Sequence, residues 1–322
     1  MLQPNFALAS ILVYDPRLEN TAPIRGALYE LGARDVDFVG DLDAARQNLN
    51  DRVYDVFIGE VVSEGDPIGA FISELRHAEF GVNPFLGVIA TTWRLNARVV
   101  REIVDAGVDD ILGRPFSYRA VAMRLQAIIE TRKPFVVTAD YIGPDRRFSD
   151  RSSRADIRMF DAPNLLRAKF IEDAAGVRAE EARVDSIRAL ILQEKMRRMA
   201  ERIAAIAVML EQRLGDKSVG GSPLDDAAVM DDLEPRTQRL GRLAELAGAS
   251  DAAALATQMS ALARRLANSE PASAIADLAA VRQLAEAVDV ALDPQASREA
   301  FAQRLSTVIV SLERRRAEIA AA

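Results

Sequence analysis

Along the first third of the chain, short apolar runs alternate with stretches in which apolar residues recur every three or four positions. The runs Ser10–Tyr14 (SILVY), Asp35–Val39, Val53–Ile58 (VYDVFI), Phe85–Ala90 (FLGVIA) and Asp110–Leu112 predict five strands. Between and after them, Ala22–Leu31, Leu42–Asn48, Ile68–His77, Ala97–Ala106 and Tyr118–Arg132 predict five helices, the first and fourth stopped by Gly32 and Gly107. Strands that are apolar without alternation belong to a parallel sheet covered on both faces. Short connections and right-handed crossovers then give an α/β domain, a doubly wound five-stranded parallel sheet, over residues 1–133.

The pattern breaks at Pro134. Phe135–Thr138 (FVVT) is strand-like, Gly143-Pro144-Asp145 is a turn signal, and the rest to residue 160 is polar, so 134–160 reads as a strand-like extension and exposed linker. From 161 to 322 glycine and aromatics thin out and helical spacing takes over, predicting an all-α helical bundle. Its longest helix is expected over Ala182–Leu214, where Leu192, Met196, Met199, Ile203, Ile206 and Leu210 follow alternating steps of four and three. That seam serves either as intramolecular core or as the interface of a homodimer. Further helices are expected at Leu224–Leu246, with a bend at Pro235, and at Asp251–Ala267, Ala272–Leu292 and Gln295–Ala320. The last repeats the seam with Phe301, Leu305, Val308 and Leu312.

Composition narrows the chemistry. The net charge of −7 opposes nucleic-acid binding, which needs a basic face. The absence of cysteine removes disulfides, thiolate metal sites and thiol catalysis. No apolar run reaches the roughly 18 residues of a membrane helix, and the start MLQPNFALAS does not resemble a signal peptide, so a cytoplasmic protein with no membrane partner is expected. The single histidine, His77, excludes any site needing two. It lies at a helix end without a nucleophile motif nearby, which points to a surface or helix-end role.

Five features at the carboxyl ends of the predicted strands carry a resemblance. The first strand runs into Asp15-Pro16. The third reads Tyr54-Asp55-Val56-Phe57-Ile58-Gly59-Glu60, and the fourth is followed by Thr92 (or Thr91). Ala106-Gly107-Val108-Asp109-Asp110-Ile111-Leu112 leads into Gly113-Arg114-Pro115-Phe116. In this order they resemble the CheY-like receiver domain of response regulators, with Ala106–Phe116 the most specific piece. The resemblance implies a receiver/flavodoxin-like fold and places Asp15, Glu60, Thr92 and Arg114 in the phosphoacceptor pocket. It also implies two-component (phosphorelay) signalling with protein partners.

The pocket departs from the family pattern at most positions. Pro16 stands where a second acid helps hold magnesium, Glu60 replaces the phosphoacceptor aspartate, Arg114 replaces lysine, and Ile111 replaces the aromatic switch. The extra methylene of Glu60 moves its oxygen about 1–1.5 Å outward, and phosphoryl transfer tolerates little misplacement. Magnesium wants octahedral oxygen ligands, and only Asp15 and Glu60 remain as weak candidates. No cofactor is therefore expected, with Mg2+ required only if the pocket works. A guanidinium is planar where an ammonium is a point charge, so Glu60 and Arg114 are expected either to pair permanently, imitating the activated charge pattern, or to face solvent separately.

The expectation is a degenerate, non-catalytic receiver acting as a signalling adaptor; the alternative is a receiver phosphorylated on Glu60 with the helical part as output. Arg132-Lys133-Pro134-Phe135-Val136-Val137 and Asp140-Tyr141-Ile142-Gly143-Pro144-Asp145-Arg146-Arg147 also resemble a "PFV…Y.GPDRR" tail of response-regulator-like proteins, whose arginines, with Arg151, Arg154 and Arg158, suit either a solvated linker or an acidic or phosphate partner. The pair Arg147 and Arg151 resembles a cyclic-di-GMP motif, but the DxSxxG and β-barrel that motif needs are missing. Histidine phosphotransfer is excluded because no histidine follows His77, and neither a basic recognition helix nor a glycine-rich phosphate loop is present.

Overall fold

The computed structural model describes residues 6–146, 159–215, 223–266, 271–293 and 298–320. The chain divides into two compact units, Met1–Ile191 and Leu192–Ala322.

The first unit is built on five strands, β1 (Ser10–Tyr14), β2 (Asp35–Val39), β3 (Val56–Val61), β4 (Gly87–Thr92) and β5 (Asp110–Gly113), all parallel in the order β2-β1-β3-β4-β5. Helices α1 (Ala22–Glu30), α2 (Leu42–Asp51), α3 (Pro67–Arg76), α4 (Ala97–Asp105) and α5 (Tyr118–Glu130) connect and follow them. Alternation along each strand splits the core by face. Ile11, Val13, Val56 and Ile58 pack with Ile24 and Leu28 of α1 and with Val121 and Leu125 of α5. Leu12, Phe57 and Val88 pack on the other face with Leu49 of α2, Phe71 and Leu75 of α3 and Ile103 of α4. Side-chain caps fix several helix starts: Asp41, Asp66, Asn96 and Ser117 each accept a backbone N–H of the first turn.

β3 and β4 each lie two to three residues further along than the apolar runs suggest. The polar start of the expected third strand explains its shift: the buried Asp55 side chain accepts the Ser10 N–H at 2.7 Å and pairs with Lys169 at 2.8 Å, so the ladder begins after it. Phe85 leaves the sheet for a second small core. Glu60 consequently sits inside β3 and not beyond its end. His77 caps the end of α3 as expected, but it is buried, which corrects a surface placement.

The described part of 134–160 is not an exposed linker. β6 (Phe135–Val137), β7 (Ile142–Pro144) and β8 (Met159–Phe160) form an antiparallel sheet in the order β7-β6-β8. Phe85, Phe135, Val137, Ile142 and Phe160 join Leu165 of α6 (Leu165–Phe170) and Val184 and Ile191 of α7 (Ala174–Gly215) in one core. Phe135 lies close to the guanidiniums of Arg76 and Arg132, 5.1 and 5.0 Å from its centroid. Those guanidiniums enclose Asp109, at 2.8 Å each. Gly107 has φ +96, and a Cβ there would meet the Ile142 carbonyl at 2.7 Å, so this glycine permits both the turn into β5 and the approach of β7. The first unit thus extends to Ile191, past the expected boundary at 133, because buried ion pairs and a shared core bind the extension to it. Residues 147–158, including Arg147, Arg151, Arg154 and Arg158, lie outside the described residues.

The second unit contains the rest of α7 with α8 (Pro223–Leu246), α9 (Ser250–Leu266), α10 (Pro271–Leu292) and α11 (Arg298–Ala320). α9 packs against both α8 and α10. The stripe Leu192, Met196, Met199, Ile203, Ile206 and Leu210 is buried within a single copy, as are Ala200, Ala204 and Ala207 beside it. That stripe is core, which corrects its use as a homodimer interface through Ala182–Leu214. An ion network accompanies it: Arg304 of α11 pairs with both Glu201 of α7 and Asp289 of α10, and Arg197 reaches Asp289 at 3.0 Å. Among the described residues no helix is long and apolar enough to cross a membrane.

Candidate functional site

In an open α/β sheet, ligand chemistry gathers at the carboxyl ends of the strands near the point where strand order reverses. Here β1 delivers Asp15 one residue past its end, β3 holds Glu60, β4 holds Thr91 and Thr92, and Arg114 follows β5 directly. The parallel ladder sets Glu60 opposite Thr91 and Val61 opposite Thr92.

Arg114 is the hub. Its Nε lies 2.6 Å from Glu60 Oε2 and an amino nitrogen lies 2.9 Å from Asp15 Oδ2. The Arg114, Asp15 and Glu60 side chains are only 4%, 1% and 5% exposed. The remaining guanidinium nitrogen donates to the Asn20 carbonyl at 3.3 Å. Asp15 Oδ1 accepts the Arg17 N–H at 2.9 Å, and the Thr91 hydroxyl donates to Glu60 Oε2. The committed hydroxyl, Thr92, is not in this cluster: it donates to the Val61 carbonyl at 2.8 Å. Successive side chains on a strand point to opposite faces, so only Thr91 shares the Glu60 face. Ile111 packs against the core on the α2–α4 side.

Two carboxylates share one guanidinium in a site closed to water, so the cluster carries one negative charge more than it neutralises. Burial raises the Glu60 carboxyl from its usual 4.5 to about 7, and Asp15 adds to the rise. The Thr91 hydroxyl and the Arg114 guanidinium oppose it.

The donor set does not fit magnesium. Both Asp15 oxygens are committed to nitrogen donors, Glu60 Oε2 takes two donors, and Pro16 offers no ligand atom. Arg114 spans the two carboxylates that a cation would have to join. Among the described residues no group of three acidic or histidine side chains is arranged for a metal.

Sequence reading missed two further buried clusters. Asp109 is held by Arg76, Arg132 and the Val88 N–H, and Asp55 by Lys169 and the Ser10 N–H. The available signal was a charged residue inside an otherwise apolar run, as in Tyr54-Asp55-Val56.

No protein-family model matches the chain, and no curated protein matches it. Solved structures similar to it include the chemotaxis protein CheY4 of Vibrio cholerae, at 19% identity over 37% of this chain and 96% of that one, with a TM-score of 0.33. The receiver domain of a sensor histidine kinase from Pseudomonas aeruginosa, solved with magnesium in its active-site cleft, matches at 25% identity over 37% and 94%, TM-score 0.32. A putative pilus assembly-related protein from Burkholderia pseudomallei matches at 18% over 38% and 89%, TM-score 0.33. With strand order β2-β1-β3-β4-β5, helices on both faces and Asp15, Glu60, Thr91 and Arg114 gathered at the carboxyl ends of the strands, the N-terminal part of this chain is a CheY-like receiver domain, followed by a helical region.

Proposed function

We propose that the protein is a signalling adaptor of two-component type whose receiver is held permanently in one state by an internal ion cluster, acting through protein contacts and without catalysing its own phosphorylation. The observation that carries this reading is Arg114 bridging Asp15 and Glu60. In a working receiver, a metal, a phosphoryl group and a cationic side chain balance one another's charge. Here a guanidinium neutralises the carboxylates directly, and the Thr91 hydroxyl already donates to Glu60. Phosphorylation of Glu60 would require expelling Arg114 and bringing a doubly charged group into a site with no metal ligands to spare.

Incubation of the full chain with acetyl phosphate and magnesium, followed by intact-mass spectrometry, tests the reading. The wild type is expected to stay unmodified, while the triple variant Pro16→Asp, Glu60→Asp, Arg114→Lys gains a hydroxylamine-labile phosphate. A labile adduct on the wild type overturns the reading in favour of Glu60 as an atypical phosphoacceptor.

A further inference from the structure

The tail segment ending at Arg146 plays no part in the receiver pocket, yet it completes a basic cavity elsewhere on the same unit. A cavity of about 240 Å³ lies where the start of β5, the end of α5 and the end of β7 meet, and Thr131, Arg132, Lys133, Pro144 and Arg146 line it with Asp109 and Asp110. It sits at the opposite end of β5 from Arg114.

The charges in it are unequally occupied. Asp109 is saturated by Arg76, Arg132 and the Val88 N–H. Asp110 accepts its neighbour's Ile111 N–H at 2.7 Å and lies 3.4 Å from Arg124. Arg146 spends one amino group on the carbonyls of Val108 and Asp109, while its Nε is buried with no acceptor. A buried donor left without an acceptor is costly, and the planar edge of a guanidinium matches an oxyanion bidentately. The end of α5 would repel an anion if its last carbonyls were bare. They are partly taken: the Ala127 carbonyl receives both the Thr131 N–H and hydroxyl, and the Ile128 carbonyl receives the Asn164 amide.

The geometry points to a binding site for a small phosphate-type oxyanion, held by Arg146 and Lys133 and independent of the degenerate phosphoacceptor pocket. The volume is below the roughly 300–1,000 Å³ of pockets for organic ligands, which favours a phosphate or diphosphate group over a whole nucleotide.

Isothermal titration of the full chain with inorganic pyrophosphate, at ionic strength matched with chloride, tests this site, with AMP as a second titrant. Saturable pyrophosphate binding is expected, weakened about tenfold in Lys133→Gln and in Arg146→Gln, as loss of one charge-assisted bond implies. Glu60→Gln, in the other pocket, should leave it unchanged. Circular dichroism checks that each variant is folded, and Lys133→Gln alone decides if Arg146→Gln is not. Absence of saturable binding, unchanged affinity in Lys133→Gln, loss in Glu60→Gln, or AMP binding tighter than pyrophosphate would each overturn the assignment.

Discussion

Thr91 stands directly opposite Glu60 in the β3–β4 ladder, and its hydroxyl donates to the Glu60 carboxylate that Arg114 also holds. The pocket is therefore closed by three contacts on one oxygen pair, and its two acids depend on a single cation. Arg114→Ala leaves Asp15 and Glu60 buried without that cation, and breaking a buried pair from one side typically costs about 3–5 kcal/mol. Urea unfolding of the full chain should show such a loss in the transition of the first unit. Arg114→Lys keeps the charge but cannot reach both acids in the same plane, and its midpoint should fall between those of Arg114→Ala and wild type.

The excess negative charge predicts a pH dependence with a definite sign. The Glu60 carboxyl is raised to about 7 in the folded protein from the usual 4.5. A raised value means the folded state holds the proton more tightly than the unfolded chain. Its contribution to stability is complete below about pH 4.5 and is lost as pH rises to about 7, by roughly 3 kcal/mol at most. Glu60→Gln removes this titration. The stability difference between wild type and Glu60→Gln, measured by urea unfolding from pH 5 to pH 8, should move against the wild type with rising pH. Parallel curves would show that Glu60 stays ionised throughout.

The buried pair beneath the sheet makes a third prediction. Lys169 of α6 neutralises Asp55, whose side chain is fully buried and raised by burial above the usual carboxylate range. Lys169→Met should destabilise the first unit by about 3 kcal/mol or more. Adding Asp55→Asn should recover part of the loss, because no unpaired charge then remains. The coupling is read from a double-mutant cycle in urea. Strict additivity would mean that the two side chains do not interact.

These clusters show what was legible in the sequence and what was not. The strand order and the Asp15, Glu60 and Arg114 positions followed from apolar runs and from residues at their ends, because both are local properties. Thr91 was displaced to Thr92 because a Thr-Thr pair gives no local cue to face; the register with Glu60 decides it. The extension after Pro134 looked like a linker because its three short strands hide their partners. Phe135 pairs with Phe160 across 25 positions, and its ring is held by Arg76 and Arg132 from the receiver. No window along the chain contains that information. The start of α7 was placed eight residues late, at Ala182 instead of Ala174, because its first turns carry no apolar seam.

The last prediction concerns the long helix. Ile203 lies in the middle of the stripe from Leu192 to Leu210, and it is 1% exposed within one copy. Its neighbours Ala200, Ala204 and Ala207 are also buried, so the second half of α7 is enclosed on more than one side. A helix that only offered a seam to a second copy would leave that seam open in one copy. Ile203→Glu would place a carboxylate among these apolar groups, at a cost of several kcal/mol. The ion network of Glu201, Asp289 and Arg304 cannot compensate, because Arg304 already serves both acids. The variant should therefore lose helical circular dichroism from the second unit, with no folded monomer released from a dimer. Val310→Glu, on α11 and 65% exposed, is the matched control and should leave the signal intact. Light scattering on the same samples separates the cases. If Ile203→Glu keeps its helix and halves its mass, α7 pairs between copies; if it loses its helix at unchanged or rising mass, α7 is the core of a single chain.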